Sequence, residues 1–156
     1  MDQATIVKAY IAGFIDGEGC IRISNNGALE VTVINTCLPV LEKIQNFFGG
    51  SISKRKQVVN KVQYSYRIYG DGAFALLCDI YDYLIDKQAQ ALVAVNWWHK
   101  RKALKVVRIP GRRGGFTNPL REQLLKYYID EITRLKLQTL PSSAANPETH
   151  LQQALG

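Results

Sequence analysis

Residues 10–24 read YIAGFIDGEGCIRIS. The stretch begins as an apolar helix and ends as an alternating strand, and between the two stand two carboxylates, Asp16 and Glu18, each followed by a glycine. Upstream, Ile6, Val7, Tyr10, Ile11 and Phe14 recur at the i, i+3, i+4 spacing of a helix face, which predicts a helix over 4–16 ended by Gly17 and Gly19. Glu18 is then expected just past the helix end. Ala9, Ala12 and Gly13 give this helix a second side with almost no bulk. Such a side fits either against the protein's own core or against a second copy of the same helix, since small residues let two helix backbones approach closely.

Downstream, Ile21 and Ile23, then Leu29, Val31 and Val33, alternate with Arg22, Ser24, Glu30 and Thr32 around the turn signal NNG. Period-2 alternation around such a turn predicts a hairpin with strands at 20–25 and 28–35. LPVLEKIQNFFG at 38–49 reads as a helix with Pro39 in its first turn. SISKRK and VQYSYRIY form a second hairpin around a polar link at 57–61. A helix over 71–84 is expected to be capped by Asp71, a longer one runs over 87–107, and another over 119–136, with a Gly/Arg loop at 108–119 between the last two. Trp97 and Trp98 are adjacent and cannot face the same way on a helix, so at least one is expected in the core or beneath the sheet. The element order of the first 85 residues is thus α-β-β-α-β-β-α, an α+β fold. The division expected is one domain over 1–137 and a polar tail over 138–156, the latter loosely held or carrying a short helix from Pro147.

An antiparallel sheet buries one face and can offer the other. Here the second face carries Arg22, Ser24, Thr32, Ser53, Arg55, Gln63, Ser65 and Arg67, with Glu30 as its acid. Such groups suit base edges and phosphates, and they suit plain solvation as well. The chain has 20 Lys plus Arg against 13 Asp plus Glu, a net charge of +7, which favours a polyanionic partner. No apolar run is long enough to span a membrane, and Met1–Tyr10 lacks the pattern of a secretory signal, so the expectation is an intracellular protein without a membrane partner, whether in an organelle or in a bacterial or archaeal cytoplasm. Cys20, Cys37 and Cys78 are odd in number and far apart, and His99 and His150 match no ligand spacing, so neither a disulfide framework nor a zinc site is expected. Glu18 between two glycines is different: a carboxylate beside an approachable backbone carbonyl is hard-oxygen ligation suited to Mg2+, but one carboxylate holds such an ion poorly, and a second copy would supply the other.

IAGFIDGEG at 11–19 resembles the LAGLIDADG motif of homing endonucleases, with Ile11 for the leading Leu and Glu18 for the second acid. The element order behind it matches that family's plan over roughly residues 5–107, with a four-stranded antiparallel DNA-binding sheet and extra C-terminal helices. The resemblance implies a single-motif homodimer whose motif helices, through Ala9, Ala12, Gly13 and Asp16, form the interface. It implies Glu18 as metal ligand with the Gly17 carbonyl, Mg2+ as cofactor with Mn2+ as a substitute, and Asp16 as mainly structural. LIDKQAQAL at 84–92 is similar to the family's Lys-x-x-Gln segment, making Lys87 the active-site lysine and Gln90 its companion. Asn35, in VINT, either positions water near the scissile phosphate or caps the helix that follows.

The activity implied is a site-specific double-strand break in a long, near-palindromic double-stranded DNA, by metal-dependent hydrolysis leaving 3′ overhangs. Arg22, Arg55 and Arg67 are the expected guanine readers, and Lys54, Lys56 and Lys61 the expected phosphate contacts, with Ser24, Asn26, Glu30, Thr32, Ser53, Gln63 and Ser65 also on the DNA. The basic helix end at 99–102, with Arg108, Arg112 and Arg113, extends the phosphate contact. The alternatives are an RNA maturase with intron RNA as partner, or a cleavage-inactive DNA-binding regulator on the same fold.

Overall fold

The computed structural model describes residues 2–55, 62–104 and 118–139. The polar link at 57–61, with Lys56 and Lys61, most of the 108–119 loop, including Arg108, Arg112 and Arg113, and the tail from 140 lie outside the described residues.

The order is α1 Gln3–Glu18, β1 Gly19–Ile23, β2 Leu29–Asn35, α2 Leu38–Phe48, β3 Ser51–Lys54, β4 Tyr64–Tyr69, α3 Gly70–Ile80, a 3-10 turn Tyr81–Tyr83, α4 Gln88–Ala103 and α5 Pro119–Thr139. This is the α-β-β-α-β-β-α plan read from the pattern, with two further helices behind it. Asp2 starts α1, its carboxylate accepting from the Thr5 N–H at 2.6 Å, so the helix begins earlier than its apolar stripe. It also ends later: Gly17 lies inside it and Glu18 is its last residue. A side chain at Gly19, by contrast, would meet the Ile15 carbonyl oxygen at 2.6 Å, so the glycine after Glu18 is what lets the strand leave the helix at once.

The four strands form one antiparallel sheet in the order β1-β2-β4-β3. Ile21, Val31, Val33, Tyr66 and Ile68 lie on the face covered by helices and are at most 4% exposed. Ile11, Ile15, Leu41, Ile44, Leu76 and Leu77, from three helices, complete this core. The second face follows from the register: Cys20 pairs with Thr32, Arg22 with Glu30, Thr32 with Arg67, and Arg67 with Ser51.

Asp71 does not cap α3. The helix opens one residue earlier, at Gly70, whose φ of 59° favours glycine. Asp71 instead pairs with Lys102 at 2.6 Å and accepts from Trp98 Nε1 at 3.0 Å. The Lys102 and Trp98 hydrogen bonds hold its carboxyl below the usual range. Both tryptophans are buried, Trp97 at 0% and Trp98 at 4% exposure: Trp97 faces the sheet and α5, where its ring lies 5.6 Å from that of Tyr128, and Trp98 faces the start of α3. The predicted 71–84 helix stops at Ile80 and tightens into the 3-10 turn. Among the described residues, no helix is long and apolar enough to cross a membrane.

Candidate active site

The end of α1 is where the two acids part company. Asp16 turns into its own chain: Oδ2 accepts from the Ile85 N–H at 2.7 Å and Oδ1 from the Lys87 N–H at 2.9 Å. It thereby ties the loop before α4 to α1, and its charge sits at the positive N-terminal end of α4. Lys87 returns the connection. Its Nζ donates to the Asp16 backbone carbonyl, so a cation covers the negative C-terminal end of α1, and Asp86 lies 3.7 Å away. The Lys87 side chain is 14% exposed, which separates it from an ordinary surface lysine. The Asp16 carboxylate, expected to be mainly structural near a contact between motif helices, is committed to two amides of its own chain.

Glu18 is exposed. Of the carbonyls in the last turn of α1, that of Ile15 accepts from the Gly19 N–H and that of Asp16 from Lys87. The next in the row is Gly17's. An exposed carboxylate and a carbonyl at the negative end of a helix are hard oxygen donors at a place that favours a cation. Among the described residues, no three His, Cys, Asp or Glu side chains gather to hold a metal ion. Glu18 and the Gly17 carbonyl alone are too few donors to enclose a divalent ion.

Asp16, Gly17, Gly19, Lys87 and Gln90 border one pocket of about 320 Å3, and Cys20, Asp86 and Lys136 close it. Gln90 is 1% exposed and its Oε1 accepts no hydrogen bond. Lys136, near the end of α5, reaches across to β1 and donates to Cys20 Sγ at 3.4 Å. The sequence reading missed it. Nothing in its spacing marks it, because only the packing of α5 on β1 brings it to the pocket. Asn35 stands at the same end of the sheet, but its Oδ1 accepts from the Cys37 N–H at 2.8 Å. That hydrogen bond is an Asx turn ahead of α2, whose N-cap is Cys37 with no side-chain cap hydrogen bond, so Asn35 does not cap the helix.

On the free side of α1 the expected set is partly redrawn. Ala12 is fully buried in the chain's own core, so it is not on the surface open to a second copy. Ala9 is half-buried, and Gly13 and Gly17, four residues apart on one edge, have nothing within 4 Å of where a side chain would start. Ile6 and Tyr10 flank that edge at 49% exposure each.

The open face of the sheet is also more structured than alternation implies. Arg22, Arg67 and Ser53 are exposed there and Thr32 half-buried, while Arg55 and Gln63, joined by a backbone hydrogen bond of 2.9 Å, continue it. Glu30 and Ser65, expected to meet DNA, are only 2% and 1% exposed, because the arginines lie over them. Ser24 and Asn26 bond to each other and to Ala28 in the turn. Lys54 belongs to the other face by register, opposite Tyr64, although it is exposed at the sheet's edge.

The sequence profile of the family described as LAGLIDADG endonuclease matches residues 11–88, from the motif helix to the first residue of α4. The chain belongs to that family. Its 156 residues suit the single-motif type of LAGLIDADG homing endonuclease. Its fold is that of the homing endonuclease I-CvuI, solved in complex with the I-CreI target: the TM-score is 0.67 at 21% identity, over 85% of this chain and 83% of that one. I-CvuI in complex with its own target gives 0.64 at 19% identity, over 90% and 86%. The LAGLIDADG meganuclease I-AabMI, bound to uncleaved DNA, gives 0.51 at 25% identity, over 62% of this chain but 37% of its own. No curated protein sequence matches the chain closely enough to add a further line of kinship.

Proposed function

We propose that this LAGLIDADG homing endonuclease family member is an active, homodimeric, site-specific endodeoxyribonuclease that makes a double-strand break in a long, near-palindromic double-stranded DNA and leaves 3′ overhangs. The observation that carries the reading is the division of labour at the end of α1: Asp16 and Lys87 tie the pocket together, while Glu18, between the pocket-lining Gly17 and Gly19, is left exposed.

Dimerisation is supported by Gly13 and Gly17. A glycine inside a helix costs about 1 kcal/mol against alanine, and neither has an intrachain neighbour that requires it. Their use lies outside the chain, in the close approach of a second α1. That approach brings two copies of Glu18 together between two basic sheets, and the two-fold axis imposes near-palindromy on the target.

Glu18 and the Gly17 carbonyl would hold Mg2+, with Mn2+ as a substitute. When bound, the ion supplies activation of water and relief of charge on the leaving 3′-oxygen. Lys87, oriented by the Asp16 carbonyl and Asp86, would stabilise negative charge growing on the phosphate. Gln90, a buried acceptor without a donor, is suited to orient a water in the same pocket. Arg22 and Arg67 on the open face read the groove, and the basic balance makes binding fall steeply with salt.

The test is cleavage of a randomised, near-palindromic DNA library with Mg2+, comparing wild type with Glu18→Gln. Wild type is expected to cut one enriched site, and the variant to bind that site without cutting it. Specific binding with no cutting by either moves the reading to a cleavage-inactive regulator or an RNA maturase, with intron RNA as the next ligand to try.

A further inference from the structure

On the open face of the sheet, Glu30 lies opposite Arg22 in the β1–β2 register, and its carboxylate is buried although the strand face it occupies is turned to solvent. Two side chains account for this. Arg22 donates its Nε to Glu30 Oε2, and Thr32, two residues on, donates its Oγ1 to Oε1 at 3.0 Å. Both carboxylate oxygens are therefore occupied from within the sheet. The Glu30 side chain is 3% exposed, while that of Arg22, which covers it, is 57% exposed.

A carboxylate buried beneath an arginine is shielded from a cytosine amino group, although accepting from that group is the usual way a Glu reads a base. What it does have is control of an arginine. A guanidinium has five N–H donors in a fixed fork. With Nε committed to Glu30, the fork loses most of its freedom, and the two terminal nitrogens form its outward edge. That edge is the one that matches the O6 and N7 of guanine in a bidentate, end-on pair. The second arginine of the face repeats the arrangement more weakly: Arg67 Nε donates to Ser65 Oγ, a neutral acceptor, at 3.3 Å.

We infer that Glu30 is a positioning residue for sequence recognition: it touches no base, and by holding Arg22 through Nε it commits the sheet to guanine at one position of each half-site. This rests on the DNA-reading function proposed above. It also assigns Thr32 a part, as the group that keeps the second carboxylate oxygen from turning toward the DNA. Base preference at that position thereby comes from a buried acid lying under the arginine, a residue that a census of DNA contacts would omit.

The experiment is binding selection from a library of double-stranded DNA with randomised, near-palindromic sequence, run in Ca2+ so that binding alone is read, on full-length wild type, Arg22→Ala, Glu30→Gln and the double variant. Wild type is expected to enrich a sequence with guanine at one symmetric pair of positions. Arg22→Ala is expected to lose about ten-fold of that preference, and Glu30→Gln to lose most of it at the same pair with the other positions unchanged. In the Arg22→Ala background, Glu30→Gln should change nothing further. Circular dichroism melting of each variant separates a loss of reading from a loss of fold, and should Glu30→Gln melt below the binding temperature, Glu30→Asp takes its place with the same expectation of a weakened guanine preference at that pair.

The inference is overturned if the Glu30 variant keeps the guanine preference, or if it changes preference at a position that Arg22→Ala leaves alone, which would make Glu30 a base reader itself. A wild type that enriches no sequence at all would overturn the DNA-reading function and this inference with it. An enriched site with unmoved Glu30 preferences would overturn this inference only.

Discussion

The two hairpins carry the same alternation in sequence and are covered by different helices, β1 by α1, α4 and α5 and β4 by α2 and α3. The first, β1–β2, is pinned at both ends. At its base Gly19 leaves α1 without a spacer, and at its tip the Gly27 carbonyl accepts from Trp97 Nε1 at 3.0 Å. All five of its inner residues, Ile21, Ile23, Leu29, Val31 and Val33, are at most 5% exposed, and α4 and α5 both pack on β1. The second, β3–β4, ends the sheet with a strand of four residues, of which only Ile52 is half-buried. Its largest inner residue, Tyr66, is fully buried yet leaves its hydroxyl without a partner, and burial pushes that phenol upward. The difference teaches that period 2 predicts a strand and its faces but not its anchorage. Anchorage comes from whatever helix the rest of the chain lays across it.

The largest effect that would break this comparison is expected at Trp97. Trp97→Ala removes a fully buried side chain and the hydrogen bond at the hairpin tip together, and should cost about 3–5 kcal/mol in denaturant unfolding. Ile52→Ala, on the edge strand, should cost about 1 kcal/mol. Equal losses would mean that the edge strand β3 is as much a part of the cooperative core as the first hairpin. Next comes Gly27. Its φ of 79° disfavours a side chain, and one placed there would meet Trp97 Cζ2 at 3.0 Å. Gly27→Ala should therefore cost about 1–2 kcal/mol, while Ser53→Ala on β3 should stay within about 0.5 kcal/mol, both read from the shift in denaturation midpoint. The smallest effect has the opposite sign. Tyr66→Phe deletes a buried hydroxyl that bonds to nothing and should be neutral or stabilising by up to about 1 kcal/mol; a clear loss would reveal that the hydroxyl is partnered in solution and that the second hairpin is better anchored than its geometry implies.

The same contrast runs through the site. Asp16 and Glu18 stand two residues apart in one motif, and spacing alone does not say where either side chain points. Two residues of helix turn their directions apart by about 200°, so one faces the loop before α4 and the other faces out. Asp71 shows the reverse case: its position suggested a cap, and a lysine and a tryptophan from α4 claimed it instead. Ala12 shows a third, a small residue consumed by the chain's own core while Gly13 beside it stays bare.

By itself the sequence determined the element order, the faces of both strand pairs, the place of the acidic motif at a helix end, and the pairing of that motif with Lys87 and Gln90 through family resemblance. Each of these depends on local periodicity or on a short contiguous motif, where neighbours along the chain suffice. Only the tertiary structure decided that the Asp16 carboxylate binds the Ile85 and Lys87 amides, that Lys136 joins the pocket from 116 residues beyond Cys20, and that Glu30 and Ser65 lie beneath the arginines they support. These outcomes turn on the directions of side chains brought together from distant elements, where a difference of one residue in a helix is about 100° of rotation, and no spacing along the chain encodes that meeting.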